Sequence, residues 1–303
     1  MKVLTVLGAR PQFIKAAPVS RALRRSHEEF LVHTGQHYDD AMSDLFFRQL
    51  GIPAPDVNLE IGSGAHGAQT GAMLAGIEAV AIEQRPDRLL VYGDTNSTLA
   101  GALAGAKLHI PIAHVEAGLR SHDRRMPEEV NRVVTDHLSD LLLCPGQVAV
   151  GNLAREGIAK GVHVVGDVMF DAFCDHLETA LGTCTVLGDV GLEPGSYQLL
   201  TAHRAENVDD PGALARIMRG VDDSGCQVVF GVQKEAYFAG RPCITLRDST
   251  EWTETVACGW NVLVGTDPRT IAEAMRTFRP TGGRPQLFGD GRAAERIVDC
   301  LGQ

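Results

Sequence analysis

LLVYGDTNS, residues 89–97, is the stretch that decides the fold of this 303-residue chain. It opens with Leu89–Tyr92, an apolar run that predicts a β-strand buried on both faces. Gly93 then permits a tight turn, and Thr95 supplies a hydroxyl that can cap a helix predicted over Ser97–Ala106. Strand, turn and helix in this order form half of a βαβ unit. The stretch therefore predicts a parallel α/β sheet with helices against its faces.

The same unit recurs on both sides of this stretch. Further strands are predicted at Val3–Leu7, Leu31–Val32, Ile112–His114, Leu141–Cys144 and Val162–Val165, and further helices at Pro11–Leu23, Gln69–Glu83 and Glu128–Leu138. A second series of strands is predicted at Gln198–Thr201, Gln227–Phe230, Cys243–Leu246 and Val262–Val264. We therefore expect two doubly wound α/β domains, residues 1–171 and 172–303, with a last helix at Arg292–Leu301 that can pack on either domain.

Composition excludes several classes of protein. The net charge is −10, and no run of Lys or Arg provides the basic surface that nucleic acid requires. No stretch of about 18 apolar residues can span a bilayer, and the apolar run at the N-terminus is too short for a signal peptide. The seven cysteines are scattered, without a Cys-x-x-Cys pair. We expect a cytoplasmic protein with reduced, mostly buried thiols and no membrane partner.

Ligands of open α/β sheets bind beyond the carboxyl ends of the strands, so the residues after each strand are the first candidates. Arg10 follows the first strand at the start of a helix, where an anion is stabilised, although such a turn can simply connect strand and helix. Asp94 and Glu116 follow two later strands. Asp94 can equally be a helix cap, and Glu116 a solvated acid or a partner of Arg120. Glu128 begins a helix, where an acid also complements the dipole.

The second domain contributes basic residues. His203 and Arg204 follow the strand at Gln198–Thr201 and could contact a diphosphate, while Glu235 could bind ribose hydroxyls. A site with one basic and one acidic end suits a nucleotide diphosphate sugar that undergoes proton transfer. Neither a Gly-x-Gly-x-x-Gly nor a P-loop motif is present, and no His-rich set indicates a metal, so we expect no cofactor and no metal.

Ordered motifs along nearly the whole chain resemble those of the non-hydrolysing UDP-N-acetylglucosamine 2-epimerases. They begin at Gly8, Thr34, Gly93, His114, Pro127, Val165, Thr201, Gly231 and Arg247 and read GARPQ, TGQH, GDT, HVEAGLR, PEEVNR, VGD, TAHR, GVQKE and RDSTE. The resemblance implies two Rossmann-like lobes of the glycosyltransferase-B type, a homodimer, and UDP bound between the lobes. It also implies elimination of UDP to a glycal intermediate and re-addition with the C2 proton on the opposite face.

Carried over from the family, the site divides into three sets of residues. The proposed catalytic residues are Asp94, Glu116, Glu128 and His203; the substrate contacts are Arg10, Lys15, Arg132, Arg204, Gly231 and Glu235; and Gln36 and His37 match a pair that regulated members use. The sequence does not divide acid from base among the carboxylates, because coupled groups share their titration.

The chain departs from the family pattern in one motif and in the length of its second lobe. Gln12 replaces a common Glu, and with the segment from Ser121 to Met126 it resembles the branch that acts on UDP-2,3-diacetamido-glucuronate, where Arg124 and Arg125 could meet the sugar carboxylate. The second departure is larger. Phe230 runs directly into Gly231, so about two βα units of roughly 30 residues each are missing from the second lobe.

These observations leave four functions open. The first is epimerisation of a UDP-N-acetylhexosamine, giving UDP-N-acetylmannosamine or the equivalent manno sugar for polysaccharide synthesis. The second is epimerisation of the UDP-sugar acid. The others are a glycosyltransferase of the same fold and an inactive protein that binds a UDP-sugar, the last suggested by the shortened lobe.

Overall fold

The computed structural model describes residues 1–35, 51–189, 191–200, 207, 210–230, 234–248 and 250–302. The described chain separates into two compact units, Met1–Ala172 with Phe288–Gln303, and Phe173–Leu287. Both units are built from parallel strands that alternate with helices. None of the described helices combines the length and the apolar character needed to cross a bilayer.

The first unit contains most of the predicted elements. In chain order they are β1 (Lys2–Leu7), α1 (Arg10–Leu23), β2 (Glu28–His33), β3 (Val57–Asn58), α2 (His66–Gln84), β4 (Arg88–Tyr92), α3 (Asn96–Leu108), β5 (Ile112–Val115), α4 (Pro127–Leu138), β6 (Leu141–Cys144), α5 (Gln147–Arg155), β7 (Val162–Val164) and α6 (Val168–Thr183). The last of these helices continues into the second unit. The capping role predicted for Thr95 is confirmed, because its side chain accepts a hydrogen bond from the Thr98 amide.

The strands of the first unit form one parallel sheet. In the described part of the chain the sheet has seven strands in the order β3-β2-β1-β4-β5-β6-β7. The chain moves outward from β1 to β3 and then returns to the other side of β1 to continue at β4. Residues that follow β1 and β4 therefore flank the point where the strand order reverses, which is where open α/β sheets bind their ligands.

Both faces of this sheet are covered by helices. Val3 and Leu7 of β1 belong to a core cluster with α1 and the C-terminal helix, whereas Leu4 and Val6 belong to a second cluster with α2 and α3. The alternation arises because successive side chains of a strand point to opposite faces. It confirms the continuous apolar runs as strands of a doubly wound sheet.

The structure departs from the sequence expectation in one strand of the first unit and in the burial of the cysteines. Strand β3 was not predicted, because it has only two residues and no apolar run, and it joins the sheet by pairing with β2. Among the cysteines only Cys144 is buried, whereas Cys174 and Cys184 are exposed, so the expectation of mostly buried thiols was wrong.

The second unit has shorter strands and a smaller core. Its elements are α7 (Val186–Asp189), β8 (Gln198–Leu200), α8 (Pro211–Ser224), β9 (Val228–Phe230), α9 (Lys234–Phe238), β10 (Cys243–Thr245), α10 (Thr253–Ala257), β11 (Asn261–Leu263) and α11 (Pro268–Thr277). Within the described residues β8 pairs with β9 and β10 with β11, and the two pairs do not join into one sheet. Ile217 of α8 and Ile271 of α11 are fully buried at the centre of a small cluster.

The helix α12 (Ala293–Leu301) belongs to the first unit. Ile297 and Leu301 are fully buried in the same core cluster as Leu23 of α1. Asp171 also holds the start of α12, because its carboxylate accepts the amides of Ala293 and Ala294 at 3.1 and 2.7 Å. The amino-acid sequence left open which unit this helix packs on. Its buried apolar face and the Asp171 carboxylate at its start explain why it packs on the first unit.

We predict that the two units differ in local stability. Amides of β1, β4 and β5 lie in a sheet that is covered on both faces, whereas those of β8 to β11 lie in separate strand pairs with little apolar burial. Hydrogen exchange followed by mass spectrometry should find β8 to β11 exchanging at least ten times faster than β1 and β4, because protection follows local opening. Equal protection in both units would contradict this difference.

Candidate functional site

The turn after β4 is fixed through its carbonyl groups. Side chains from other elements meet each of them: Gln12 and Thr98 donate to Tyr92 at 2.9 and 2.6 Å, the His114 ring lies 2.7 Å from Gly93, and Asn131 donates to Asp94 at 2.9 Å. A buried carbonyl without a partner is costly, so these contacts select one path for the backbone. They fix the point from which the side chain of Asp94 leaves the sheet.

The Asp94 carboxylate is bound by an arginine on α4. Arg132 directs Nε and Nη2 to Oδ2 of Asp94 at 3.0 and 2.6 Å, and its Nη1 donates to Glu129 at 3.0 Å. Since Thr95 caps α3, Asp94 is not the helix cap that the sequence left open. Its side chain keeps 28% of its surface exposed.

Glu116 forms the second pair of carboxylate and cation. It is a near neighbour of the β4 turn, because Val115 is paired with Tyr92 in the sheet. The Glu116 carboxylate is in contact with the Lys15 ammonium from α1, and both side chains are mostly buried. Arg120 instead binds Asp136 and Glu156. Glu116 is therefore neither a solvated loop acid nor the partner of Arg120.

Gly93 brings these groups close to Asp94. Its φ is +63°, and a Cβ atom at this position would lie 3.1 Å from Nζ of Lys15 and 3.3 Å from Oε2 of Glu116. A side chain here would press on the ion pair and force its atoms to shift by a few tenths of an ångström. The missing side chain thus lets the Lys15–Glu116 pair lie against the backbone immediately before Asp94.

The backbone just before α1 is bound by a side chain of the helix, that of Gln12. Oε1 of Gln12 accepts the amides of Gly8 and Ala9 at 2.8 and 3.0 Å, while its Nε2 donates to Tyr92. These two amides, which precede the first residue of the helix, are thus bound within the protein. Arg10, the exposed first residue of α1, provides a cationic group at this strand end.

Two adjacent acids at the start of α4 have different surroundings. Glu128 is exposed, as an acid that only complements the helix dipole would be. Glu129 is buried and accepts the amides of Ser121 and His122 at 2.8 and 2.9 Å. Burial by itself raises the pKa of Glu129, but these hydrogen bonds and the one from Arg132 outweigh it and hold the pKa below its usual value. Glu129 thus links the Asp94–Arg132 pair to the loop before α4.

Several predicted site residues fall outside the described part of the chain: Gln36, His37, His203, Arg204, Gly231 and the side chain of Glu235. The structure therefore brings together Asp94, Glu116, Lys15 and Arg132. Among the residues that it describes, no three His, Cys, Asp or Glu side chains come together as a metal site requires.

Sequence reasoning missed the residues that hold the site in place. They are Gln12, Asn131, Glu129, His114 and Asp136, all of them buried. The available signal was the placement of polar residues within otherwise apolar strands and on the inner faces of helices. A buried polar side chain needs a hydrogen-bond partner, and here the partners are the loops of the site.

We predict that Gln12→Met lowers the free energy of unfolding by about 1–3 kcal/mol, because the Gly8 and Ala9 amides lose their acceptor and the Tyr92 carbonyl loses one of its two donors, while the side-chain volume is kept. Chemical denaturation measures this change. The matched control is Gln147→Met, since Gln147 is exposed at the start of α5 and the change should stay within about 0.5 kcal/mol. Equal stabilities of the two variants would contradict the assignment.

Comparison with known proteins identifies relatives over the whole chain. The family model described as UDP-N-acetylglucosamine 2-epimerase matches residues 21–230 and 223–302. A UDP-N-acetylglucosamine 2-epimerase homolog of Methanococcus maripaludis is 44% identical over 354 aligned positions, with 99% of each chain covered. The UDP-2,3-diacetamido-2,3-dideoxy-D-glucuronate 2-epimerase of Pseudomonas aeruginosa is also 44% identical, again over 99% of each chain.

The solved structures agree in fold. The crystal structure of Methanocaldococcus jannaschii UDP-GlcNAc 2-epimerase in complex with UDP-GlcNAc and UDP matches with a TM-score of 0.89 and 38% identity, covering 100% of this chain and 99% of that one. This match confirms the expected fold class of two Rossmann-like lobes.

The aligned relatives are longer than this chain. The alignment with the Methanococcus maripaludis protein has 354 positions, 51 more than the 303 residues of this chain. At least 51 of the aligned positions therefore have no residue in this chain. The two family-model matches overlap at residues 223–230, where the sequence departs from the family pattern. The extent of both matches nevertheless covers both units, and the chain belongs to the UDP-N-acetylglucosamine 2-epimerase family.

Proposed function

We propose that this chain is a non-hydrolysing UDP-N-acetylglucosamine 2-epimerase, which inverts C2 of a UDP-N-acetylhexosamine. The observation that carries the proposal is the pair of carboxylates, Asp94 and Glu116, that follow adjacent strands in a member of this family. Proton removal and return at one carbon require acid and base groups next to that carbon. The substrate named for the relative of known structure, UDP-GlcNAc, supports the same choice.

The proposed reaction proceeds by elimination and re-addition. A base removes the proton from C2 while the bond from C1 to the diphosphate oxygen breaks, so the electron pair of the C2–H bond forms the C1=C2 bond and UDP leaves. A proton then adds to C2 from the opposite face as the diphosphate oxygen bonds to C1. Because C2 has no adjacent carbonyl, departure of UDP must provide the driving force.

The described residues fit the acidic half of this reaction. Arg132 binds Asp94 and Lys15 binds Glu116, which holds the two acids in place near the point where the strand order of the sheet reverses. The exposed part of the Asp94 side chain is available to the sugar. A carboxylate fixed before the substrate arrives loses less entropy in the reaction than a mobile one.

The basic half of the reaction begins with Arg10. Its exposed position beyond β1 suits contact with the leaving diphosphate, whose developing charge a fixed cation stabilises. Four further residues complete this half of the proposal as contacts of UDP: His203, Arg204, Gly231 and Glu235. On the acidic side we propose Glu128 as a further acid. The pair Gln36 and His37 is proposed as a regulatory contact.

We predict that the protein, incubated with UDP-N-acetylglucosamine in deuterated water, incorporates deuterium at C2. Asp94→Asn and Glu116→Gln should each lower this exchange by at least about 100-fold, the usual contribution of a positioned acid or base, with UDP affinity retained. Arg10→Ala should weaken UDP binding about tenfold or more, because a charge-assisted hydrogen bond is lost. Mass spectrometry and calorimetry measure the two effects.

The controls for this experiment are Glu83→Gln and Arg219→Ala, since both residues are exposed helix positions away from the strand ends. Near-normal exchange in both carboxylate variants would refute the site assignment. UDP binding without exchange on any UDP-N-acetylhexosamine would indicate the inactive binding protein, and release of UDP that depends on an acceptor would indicate a glycosyltransferase.

The second candidate substrate is the UDP-sugar acid. It is favoured by the exposed Arg124, which has no ion-pair partner among the described residues, whereas Arg125 is paired with Asp123 at 2.8 Å. The relative named for this substrate is 44% identical. Offering both UDP-sugars in the same exchange assay decides between them, and preference for the sugar acid that is lost in Arg124→Ala would identify the carboxylate contact.

We extend the proposal to a homodimer, as the family resemblance implies, and to the cytoplasmic location expected from the sequence. We predict a light-scattering mass near twice the 32.5 kDa of one chain, independent of added UDP. A mass of one chain at micromolar concentration would contradict the dimer.

A further inference from the structure

His114 lies beneath the proposed site and takes no part in the reaction described above. It is fully buried at the third position of β5, two residues before Glu116. Nδ1 of its ring is 2.7 Å from Oδ1 of Asp136, and Nε2 is 2.7 Å from the carbonyl oxygen of Gly93. Both ring nitrogens therefore face an oxygen.

Both of these oxygens are acceptors. A backbone carbonyl has no proton to donate, so Nε2 of His114 must carry one. Burial alone raises the pKa of Asp136, but hydrogen bonds to this carboxylate and the charge of Arg120, whose guanidinium donates to it at 2.7 Å, outweigh burial and hold the pKa below its usual value. Asp136 is thus an acceptor as well, and Nδ1 must also donate. The arrangement is satisfied only by a ring with a proton on each nitrogen.

Asp136 connects this ring to the loop that carries Glu116. Its second oxygen, Oδ2, accepts the Gly118 amide at 3.1 Å and Nη1 of Arg120 at 2.7 Å. Glu116 and Gly118 have φ of +73° and +81°, and the first of these values is rare for a residue with a side chain. The loop needs such external contacts to keep this conformation.

We propose that His114 is a positioning residue, an imidazolium that holds the Gly93 carbonyl on one side and the Asp136 carboxylate on the other and so fixes Asp94 and Glu116 relative to each other. The inference rests on the proposed function, because it assigns the purpose of this geometry to proton transfer by those two carboxylates. Both ring nitrogens are occupied by contacts within the protein, so neither is available to a substrate. The ring acts through the turn after β4 and the loop after β5.

The alternative is that His114 only stabilises the fold. The two roles differ in what a substitution changes. A structural residue affects the fraction of folded protein, whereas a positioning residue lowers kcat in the folded protein and leaves KM nearly unchanged. A displacement of about 1 Å in reacting groups can cost on the order of 100-fold in rate.

The first experiment uses the unmodified protein without substrate. Nuclear magnetic resonance of the protein labelled with 15N-histidine should show one buried imidazole with protons on both nitrogens, and this pair of signals should be missing in His114→Gln. A buried His114 ring with one bare nitrogen would overturn the inference, whether or not the protein is an epimerase.

The second experiment compares His114→Gln with His137→Gln in the C2 deuterium exchange assay. His137 is a half-exposed histidine on α4, next to Asp136 in the sequence. We expect kcat to fall at least about tenfold in the first variant with KM changed less than about threefold, and both values to stay constant in the second. Unchanged kcat in folded His114→Gln would overturn the positioning role. Absence of exchange in the unmodified protein would instead refute the proposed function, leaving the resonance experiment to decide the charge state of the ring.

Discussion

The site depends on the hydrogen bonds that the three carbonyl groups of Tyr92, Gly93 and Asp94 receive from side chains. These side chains come from α1, α3, β5 and α4. Four elements therefore converge on one turn, at the point where the strand order of the sheet reverses. The sheet brings the strand ends together, but it does not determine the direction of a side chain in the turn. The side-chain contacts do, because buried carbonyls accept few alternatives without a loss of hydrogen bonding.

The same contacts explain why two acids can lie close together in the proposed site. Each has its own cation, Arg132 for Asp94 and Lys15 for Glu116, and each cation comes from a helix that also supports the turn. Glu129 extends this arrangement to the loop before α4, and Asp136 extends it to the loop after β5. Among the described residues, all of these contacts to the two acids lie within the first unit.

The sequence predicted the strands and the strand-end residues because both follow from short-range patterns. Apolar runs such as Leu89–Tyr92 identify buried strands, and the rule that ligands bind at their carboxyl ends selects Asp94 and Glu116. The pairings could not be predicted, because they join distant positions: Lys15 meets Glu116 across 101 residues, and Gln12 meets Tyr92 across 80. Strand β3 was missed for a different reason, since two residues carry no periodicity.

The central claim is that the turn after β4 and the loop after β5 hold two carboxylates ready at one carbon of a UDP-sugar. A crystal structure of the protein with its bound UDP-sugar tests this claim most directly. The account predicts that C2 of the sugar lies between the carboxylates of Asp94 and Glu116, with an oxygen of at least one of them within about 3.5 Å of it, the separation of reacting atoms before transfer. A sugar ring whose C2 contacts neither carboxylate, with the turn unchanged, would contradict it.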